Sequence, residues 1–185
     1  RELEADEHIC IFADPAESND YCAAVGISKR HADTPIVFND RIESSQFGHE
    51  LYHMAKYTER VTHIWPTIGV ERNTGQATIH VLVTLNYPEL FRMRIFDVPG
   101  IRESGKIGWL TTEATRGKML DNLALALRQG QTNTYDKDIV DQLCSFIIDK
   151  KGKAPDIEIK MPEKETENKD PQLEKAIEIL KEMMN

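Results

Sequence analysis

The sequence of 185 residues lacks the features that would assign it to several common protein classes. It has only 3 cysteines, Cys10, Cys22 and Cys144, which lie far apart and form no CxxC spacing. This pattern argues against a disulfide framework and a cysteine zinc site, so we expect reduced core cysteines in a cytosolic protein. No stretch approaches the ~18 apolar residues of a membrane span, and the N-terminus has no apolar signal core.

A nucleotide-binding motif and a metal-binding motif are also missing. No Gly-rich phosphate loop with Lys and Ser or Thr occurs, so the chain is not an NTPase of that type. His49 and His53 have the spacing of a helical metal pair, but without an HExxH signature we interpret them as a surface pair. The chain opens on Arg1 without an initiator methionine, which we interpret as the start of a fragment.

Positive charge is scarce overall and unevenly distributed. The chain has 23 Lys and Arg against 31 Asp and Glu, a net charge of −8, which should repel nucleic acid and anionic membranes. The segment 92–118 reverses this balance, with six basic and three acidic residues around a glycine-rich centre typical of a loop or hairpin. We expect this segment to lie over a groove and contact DNA; scattered solvated charges are the alternative.

Apolar runs and periodicity predict an alternating α/β domain. Three short strands joined by polar loops are typical of an antiparallel meander, and helices and further strands follow. The order of elements predicts an RNase H-like (RuvC-like) α/β domain, a mixed sheet flanked by helices. The predicted strands are Ile9 to Ala13, Tyr21 to Ser28, Pro35 to Asn39, Thr67 to Val70 and Met93 to Phe96. The predicted helices run from Ser44 or Ser45 to Arg60, Gln76 to Leu85, Thr115 to Arg128, and Asp138 to Ile147 or Ile148.

Two details of the helices can be predicted. The first helix should begin with a serine cap and carry an apolar side formed by Phe47, Leu51, Met54, Ala55 and Tyr57. The last should be capped by Asp136 or Asp138. Beyond 152 the composition becomes charged and proline-containing. We therefore expect a folded domain over 1–152, a charged linker over 153–170 and a C-terminal helix over 171–185.

Carboxylates at the ends of two predicted strands form the most informative feature of the sequence. Asp14 ends the first strand and Glu71 ends the fourth. If these strands are parallel neighbours, both acids meet at the ligand-binding edge of the sheet, where a divalent cation would relieve their repulsion. Asp20 follows in the next loop, as an outer ligand or as a turn residue. The alternative is that Asp14 caps a turn and Glu71 is a solvated acid.

A run of polar residues follows Glu71 and leads into the second helix. Gly75 allows a tight turn into a helix whose N-terminus can meet phosphate. Arg72 could contact phosphate or simply screen the acids, and Asn73 lies beside it.

Three motifs in this order resemble the nuclease domain of viral large terminase subunits, the motor proteins that package phage DNA. They are FADPAE at 12–17 with Asp20 following, GVERNTG at 69–75, and GWLTT at 108–112 before the helix at 118–120. The resemblance covers roughly 8–154 and implies that the folded domain is an RNase H-like nuclease. It implies that Asp14 and Glu71 are catalytic ligands of two Mg²⁺ or Mn²⁺ ions.

The third acid departs from the family pattern. The family usually completes its site with a His-Asp-Asp run at a late helix, whereas this sequence passes from Ala154-Pro155-Asp156 directly into Ile157. We take Asp156 as the candidate third catalytic and metal ligand, with Glu158 and Asp149 as alternatives. A missing segment after Asp156 would also explain the departure.

The resemblance implies cleavage of concatemeric viral double-stranded DNA by two-metal phosphodiester hydrolysis, in the host cytoplasm at the procapsid. The expected partners are DNA, the terminase ATPase domain, the small terminase subunit and the portal, with no membrane and no place in the virion. Another RNase H-like nuclease, such as a resolvase or transposase core, is the first alternative. A non-catalytic docking module is the second. The expected DNA-binding residues are Arg72, Asn73, Arg102, Lys106, Arg116 and Lys118.

Overall fold

The computed structural model describes residues 1–16, 20–96 and 101–145, and the chain divides into two units at 133/134. The described part of the second unit holds one helix. The predicted linker over 153–170, the C-terminal helix over 171–185 and the candidate ligand Asp156 lie outside the described residues. The domain boundary at 152 therefore stays a prediction.

A mixed four-stranded sheet flanked by helices forms the first unit, as the RNase H-like prediction requires. The strands of this sheet are β1 (Ile9–Asp14), β2 (Cys22–Ser28), β3 (Ile36–Asp40) and β4 (Thr67–Val70), in the order β3-β2-β1-β4. A separate two-stranded sheet consists of β5 (Arg92–Phe96) and β6 (Ile101–Ile107). The helices of the first unit are α1 (Ser44–Thr62), α2 (Gln76–Thr84) and α3 (Glu113–Arg128), and the second unit has α4 (Lys137–Ser145).

Strand pairing decides where the acids lie. β2 is antiparallel to both β1 and β3, which confirms the predicted meander. β4 returns after α1 and pairs with β1 in parallel, with Ala13 opposite Val70 in the last pair of the register. Because parallel strands end at the same edge, the residues that follow this pair, Asp14 and Glu71, lie side by side at that edge of the sheet.

The core lies between one face of the sheet and helices α1 and α2. Alternate residues of β1 are buried, as the twofold period of a strand requires, and Phe47, Leu51 and Leu82 cover them from the helices. Each such apolar side chain contributes about 2 kcal/mol on burial. Helices α1 and α2 pack closely at Gly48, where an added Cβ would lie 2.8 Å from Cβ of Val81.

Two details of α1 differ from the prediction. Tyr57 is 55% exposed, because threonines complete the buried face and the helix continues to Thr62. The hydroxyls of Thr58 and Thr62 donate to the carbonyl oxygens four residues earlier, which lets these polar side chains be buried. The N-cap is Glu43 without a side-chain bond, and the hydroxyl of Ser44 instead donates to the carbonyl oxygen of Ala16.

The segment 101–108, predicted as a loop or hairpin, instead contains one strand, β6, which pairs with β5, and the base of this strand pair docks beside β4. Short bridges join Glu71 to Trp109 and Arg92 to Gly108. Gly108 has φ +88°, and an added Cβ would lie 2.6 Å from the carbonyl oxygen of Val70. A glycine is therefore required at this point.

Helix α3 begins near the acids and ends at the opposite end of the sheet. Thr112 and Thr115 form a capping box at its start. After the helix, the hydroxyl of Thr132 and the amide of Asn133 both donate to the carbonyl oxygen of Ala32. In the second unit, Asp136 accepts a bond from the amide of Ile139, which confirms the predicted cap of α4.

The predictions about cysteine, histidine and membrane segments have mixed outcomes. All three cysteines are free; Cys22 is buried, whereas Cys10 and Cys144 are only half-buried. His49 and His53 are both exposed, as expected of a surface pair. Within the described ranges, no helix is both long enough and apolar enough to cross a membrane.

Candidate functional site

One row of residues crosses the end of the sheet and carries the acid pair. Ala23 is paired with Asn39 on one side and with Asp14 on the other. Glu71 follows next to Asp14 and is bridged in turn to Trp109. The backbone therefore sets the spacing of the two acids.

Backbone hydrogen bonds hold Glu71 in this row. Its amide donates to the carbonyl oxygen of Ala13 at 2.8 Å, which extends the parallel pairing by one residue. On the other side the amide of Trp109 donates to Val70 at 2.8 Å, and the amide of Arg72 donates to Trp109 at 2.7 Å. Glu71 is thus fixed between two neighbouring strand ends.

The two carboxyl groups interact strongly. The pKa of Asp14 is raised to about 7, most of all by partial burial and also by a hydrogen bond with Glu71 and by the charge of Glu71. Asp20 adds to this increase, whereas the positive charge of Arg116 opposes it. Near neutral pH the pair therefore holds a proton that one ordinary carboxyl group would have lost.

An open cleft of about 450 Å³ lies against the pair. Its walls come from the ends of β1 and β4, the start of β2, and the turn into α2. Its lining residues are Asp14, Pro15, Ala16, Asp20, Tyr21, Glu71, Asn73 and Thr74. The cleft therefore brings together the predicted residues Asp14, Asp20, Glu71 and Asn73.

The turn into α2 connects both strand ends. The hydroxyl of Thr74 donates to the carbonyl oxygen of Pro15 at 2.6 Å, so it ties the β4 side of the cleft to the β1 side. Gly75 is the N-cap of α2, and an added Cβ would lie 2.1 Å from the carbonyl oxygen of Glu71. The predicted tight turn at Gly75 is confirmed, whereas the role of Thr74 was missed.

Asn73 links the acid strand to the start of α3. Its amide nitrogen donates to the carbonyl oxygen of Thr111 at 2.8 Å, and its carbonyl oxygen accepts from the amide of Thr111 at 3.0 Å. The bonds fix the segment that leads into α3. Arg116 follows one turn later, near enough for its charge to act on Asp14.

The other predicted basic residues lie outside the cleft lining. Arg72 is half-buried, and its Nη1 is a buried donor without a partner in the described part of the chain. Lys106 on β6 and Lys118 on α3 are exposed. Arg102 is in β6, but its side chain is outside the described set.

The acid set of the described residues is smaller than the predicted one. Across 1–16, 20–96 and 101–145, no group of three or more His, Cys, Asp or Glu side chains is arranged to hold a metal ion. Asp14 and Glu71 meet as a pair, and Asp20 acts on Asp14 through its charge. Asp156 is outside the described residues.

A solved structure has the same fold. Neither a family model nor a curated protein matches the sequence. The crystal structure of the large terminase nuclease from thermophilic phage G20c matches with a TM-score of 0.57 and 17% sequence identity. The match covers 81% of this chain and 73% of that chain. At this identity the likeness establishes the fold, and the chemistry must be argued from the cleft.

Proposed function

We propose that this chain is the nuclease domain of a viral large terminase subunit, a metal-dependent enzyme that cleaves concatemeric double-stranded DNA during genome packaging. The observation that carries the proposal is the pairing of Asp14 and Glu71 at adjacent ends of parallel strands, beside an open cleft. The fold shared with a terminase nuclease and the three sequence motifs support the same conclusion.

The chemistry of the pair fits a divalent cation. The pKa of Asp14 is raised by partial burial and by the second carboxyl group held against it, and a cation would remove the need for the shared proton. Oxygen ligands favour Mg²⁺ or Mn²⁺ over zinc. Asp14 and Glu71 would hold the metal, with Asp20 on the cleft wall and Asp156 as further ligands. Two bound ions would supply activation of a water molecule and charge stabilisation at the leaving 3′ oxygen.

The remaining residues position this pair and the substrate. Thr74 and the turn at Gly75 connect the two strand ends. Asn73 donates one amide hydrogen to Thr111, which leaves its second hydrogen for a phosphate oxygen. Arg116 offsets acid charge near Asp14 and would attract the DNA backbone. Further DNA contacts in the proposal come from Arg72, Arg102, Lys106 and Lys118.

The proposed biological setting follows from the resemblance. The domain would act with the terminase ATPase domain, the small terminase subunit and the portal. Cleavage would take place in the host cytoplasm at the procapsid. Because the chain carries a net charge of −8, we expect weak, salt-sensitive and metal-dependent DNA binding by this domain alone.

A nicking assay tests the proposal. Supercoiled plasmid is incubated with the chain and Mg²⁺ or Mn²⁺, with EDTA as the metal-free arm. We expect nicked and linear DNA only with the metal, and a loss of at least about 100-fold in rate for Asp14→Asn and Glu71→Gln. The matched control is Glu50→Gln, because Glu50 is an exposed acid of α1 outside the cleft lining. Undiminished cleavage by Asp14→Asn would reject the assignment.

Two further arms separate the alternatives. A four-way junction cut in preference to linear duplex would favour a resolvase core over a terminase nuclease. The described residues supply an acid pair rather than a full ligand group, which is the observation that favours a docking module. Calorimetric titration with Mn²⁺ tests this alternative. For a docking module, the heat of Mn²⁺ binding would be the same with and without Asp14 and Glu71, and the chain would not cleave DNA.

A further inference from the structure

Tyr21 and Arg41 form a stacked pair at the edge of the same cleft. They come one residue beyond Cys22 and Asp40, the last pair of the β2–β3 register. Cζ of Arg41 lies 4.6 Å from the centroid of the Tyr21 ring. Tyr21 is 49% exposed and lines the cleft together with Asp14 and Glu71.

The pair belongs to the side of the sheet that carries the acids. Along β2, Cys22 and Ala24 are buried in the core, so Ala23 and Tyr21 fall on the alternate side. Ala23 is the residue opposite Asp14 in the register. Tyr21 lies two positions before Ala23 and is therefore its neighbour on the acid-bearing side of the sheet.

The guanidinium of Arg41 has its hydrogen-bonding capacity unused in the described part of the chain. Two other arginines are paired with carboxylates: Arg1 with Glu7 and Asp33, and Arg30 with Glu4. The neighbouring carboxylate of Asp40 instead accepts a bond from the backbone amide of Arg41 at 2.7 Å. In a chain with excess acid, an arginine that rests on an aromatic ring retains its donors for an external ligand.

The chemistry of this ligand follows from the guanidinium of Arg41 and from its position beside the acidic cleft. A guanidinium presents a planar fork of N–H groups that matches two phosphate oxygens, and stacking on a ring restricts its orientation. The acids in the cleft repel a phosphate backbone, so a strand that approaches them requires cations nearby. Arg116 supplies one positive charge near Asp14, from the segment that follows Trp109. Arg41 supplies another at the β3 edge.

We propose that Arg41 binds a backbone phosphate of the substrate duplex and that Tyr21 positions its guanidinium. The inference rests on the proposed nuclease function and adds a second wall to the DNA site. The substrate strand then passes over the acid pair between Arg41 and Arg116. Tyr21 is a positioning residue, because it acts through Arg41.

Fluorescence anisotropy with a labelled linear duplex tests the proposal. Each variant is made in an Asp14→Asn background, so that DNA stays intact during the measurement with Mg²⁺. We expect Arg41→Ala to weaken binding roughly tenfold and to lower the slope of log K against log salt by about 1. Arg41→Lys should keep the salt slope and lose part of the affinity, since it retains the charge without the fork.

A second arginine stacked on a tyrosine provides the matched control. Arg60 rests on Tyr57 on α1, with Cζ 5.7 Å from the ring centroid, and neither residue lines the cleft. Arg60→Ala should therefore leave both affinity and salt slope unchanged. Circular dichroism melting checks that every variant is folded.

Tyr21→Leu tests the positioning role. We expect a smaller loss than for Arg41→Ala, and no further loss when both changes are combined, because the ring acts through the guanidinium. Additive losses would overturn the positioning role.

The inference and the proposed function fail in different ways. Unchanged affinity and salt slope for Arg41→Ala overturn the inference, and the nuclease assignment survives if Asp14→Asn still abolishes metal-dependent nicking. An equal loss for Arg60→Ala also overturns it, because nonspecific charge would explain both results. A wild-type chain that neither binds nor nicks DNA overturns both proposals.

Discussion

Glu71 lies beside Asp14 because its backbone amide donates to the carbonyl oxygen of Ala13, the residue that precedes Asp14. This 2.8 Å bond extends the parallel pairing of β1 and β4 to the edge of the sheet where both acids lie. The proximity of the acids is thus a property of the main chain. Their side chains can change without moving the strands, which allows the interaction between them to be measured.

Substitution of Glu71 by Gln should lower the pKa of Asp14. In divalent-free buffer we expect it to fall from about 7 toward the ordinary value without reaching it. The repulsion by Glu71 is lost, but partial burial, the largest cause of the increase, remains. NMR titration of the Asp14 carboxyl carbon measures the change, with Glu50→Gln as control. A pKa still at about 7 in Glu71→Gln would show that Glu71 has no part in it.

The raised pKa of Asp14 also predicts which of wild type and Asp14→Asn melts at the higher temperature, and that Mn²⁺ reverses this order. The pKa of Asp14 is higher in the folded protein than its ordinary value of 3.8, so its contribution is favourable at low pH and is lost as pH rises through about 7. At pH 8 in EDTA, Asp14→Asn should therefore melt above the wild type. At about 100 times the dissociation constant, Mn²⁺ should raise the wild type by on the order of 5–10 °C and reverse this order.

Calorimetric melting with and without Mn²⁺ measures both parts of this prediction. Glu50→Gln should follow the wild type throughout. If Asp14→Asn gained as much stability from Mn²⁺ as the wild type, the ion would bind elsewhere.

Gly75→Ala should damage both stability and cleavage. An added Cβ would lie 2.1 Å from the carbonyl oxygen of Glu71 and 2.7 Å from Cγ1 of Val70, so the acid strand would have to move. We expect a loss of about 1–3 kcal/mol in the free energy of unfolding. The nicking rate should fall at temperatures where the variant remains folded.

Gly117→Ala is the matched control, because its added Cβ would meet nothing within 4 Å on α3. Alanine in a helix interior should increase stability by about 1 kcal/mol without changing the nicking rate. Denaturant unfolding and the plasmid assay measure the two effects. Equal effects of the two substitutions would refute the argument from close packing at Gly75.

The strands and the acid pair could be predicted because their signals are local. Residues 9–13 form a short apolar run that Asp14 ends, so both the strand and its functional end can be recognised in the sequence. The apolar side of α1 was predicted less well. Apolar periodicity assigns Tyr57 to the core because it counts threonine as polar. Thr58 and Thr62 are buried instead, since their hydroxyls donate to carbonyl oxygens of their own helix.

The residues missed in the cleft depend on contacts between distant segments. Thr74 bonds to Pro15 across 59 positions of sequence. Tyr21 meets Arg41 only because β2 and β3 pair in a particular register. No spacing in the sequence marks either contact, since the register is determined by the packing of the whole sheet.

A buried ion cluster at the other end of β1 gives a pH-dependent stability of opposite sign. Arg1 donates to Glu7, which is fully buried, and to Asp33, which is 4% exposed. Arg1→Ala leaves two buried carboxylates without their cation, which should cost about 3 kcal/mol at pH 7. The bond from Arg1 is the largest cause that lowers the pKa of Glu7 to about 2, and it also lowers that of Asp33.

The pH range of this effect follows from the direction of the shifts. The contribution of Glu7 is fully present above its ordinary pKa of 4.5 and is lost as pH falls toward about 2. The gap in stability between wild type and Arg1→Ala should therefore shrink over that range in denaturant unfolding. Arg30→Ala is the control, because Arg30 and Glu4 are both largely exposed and their pair is worth less than about 1 kcal/mol. A gap of the same size at pH 7 and pH 3 would mean that Arg1 stabilises the fold through packing rather than charge.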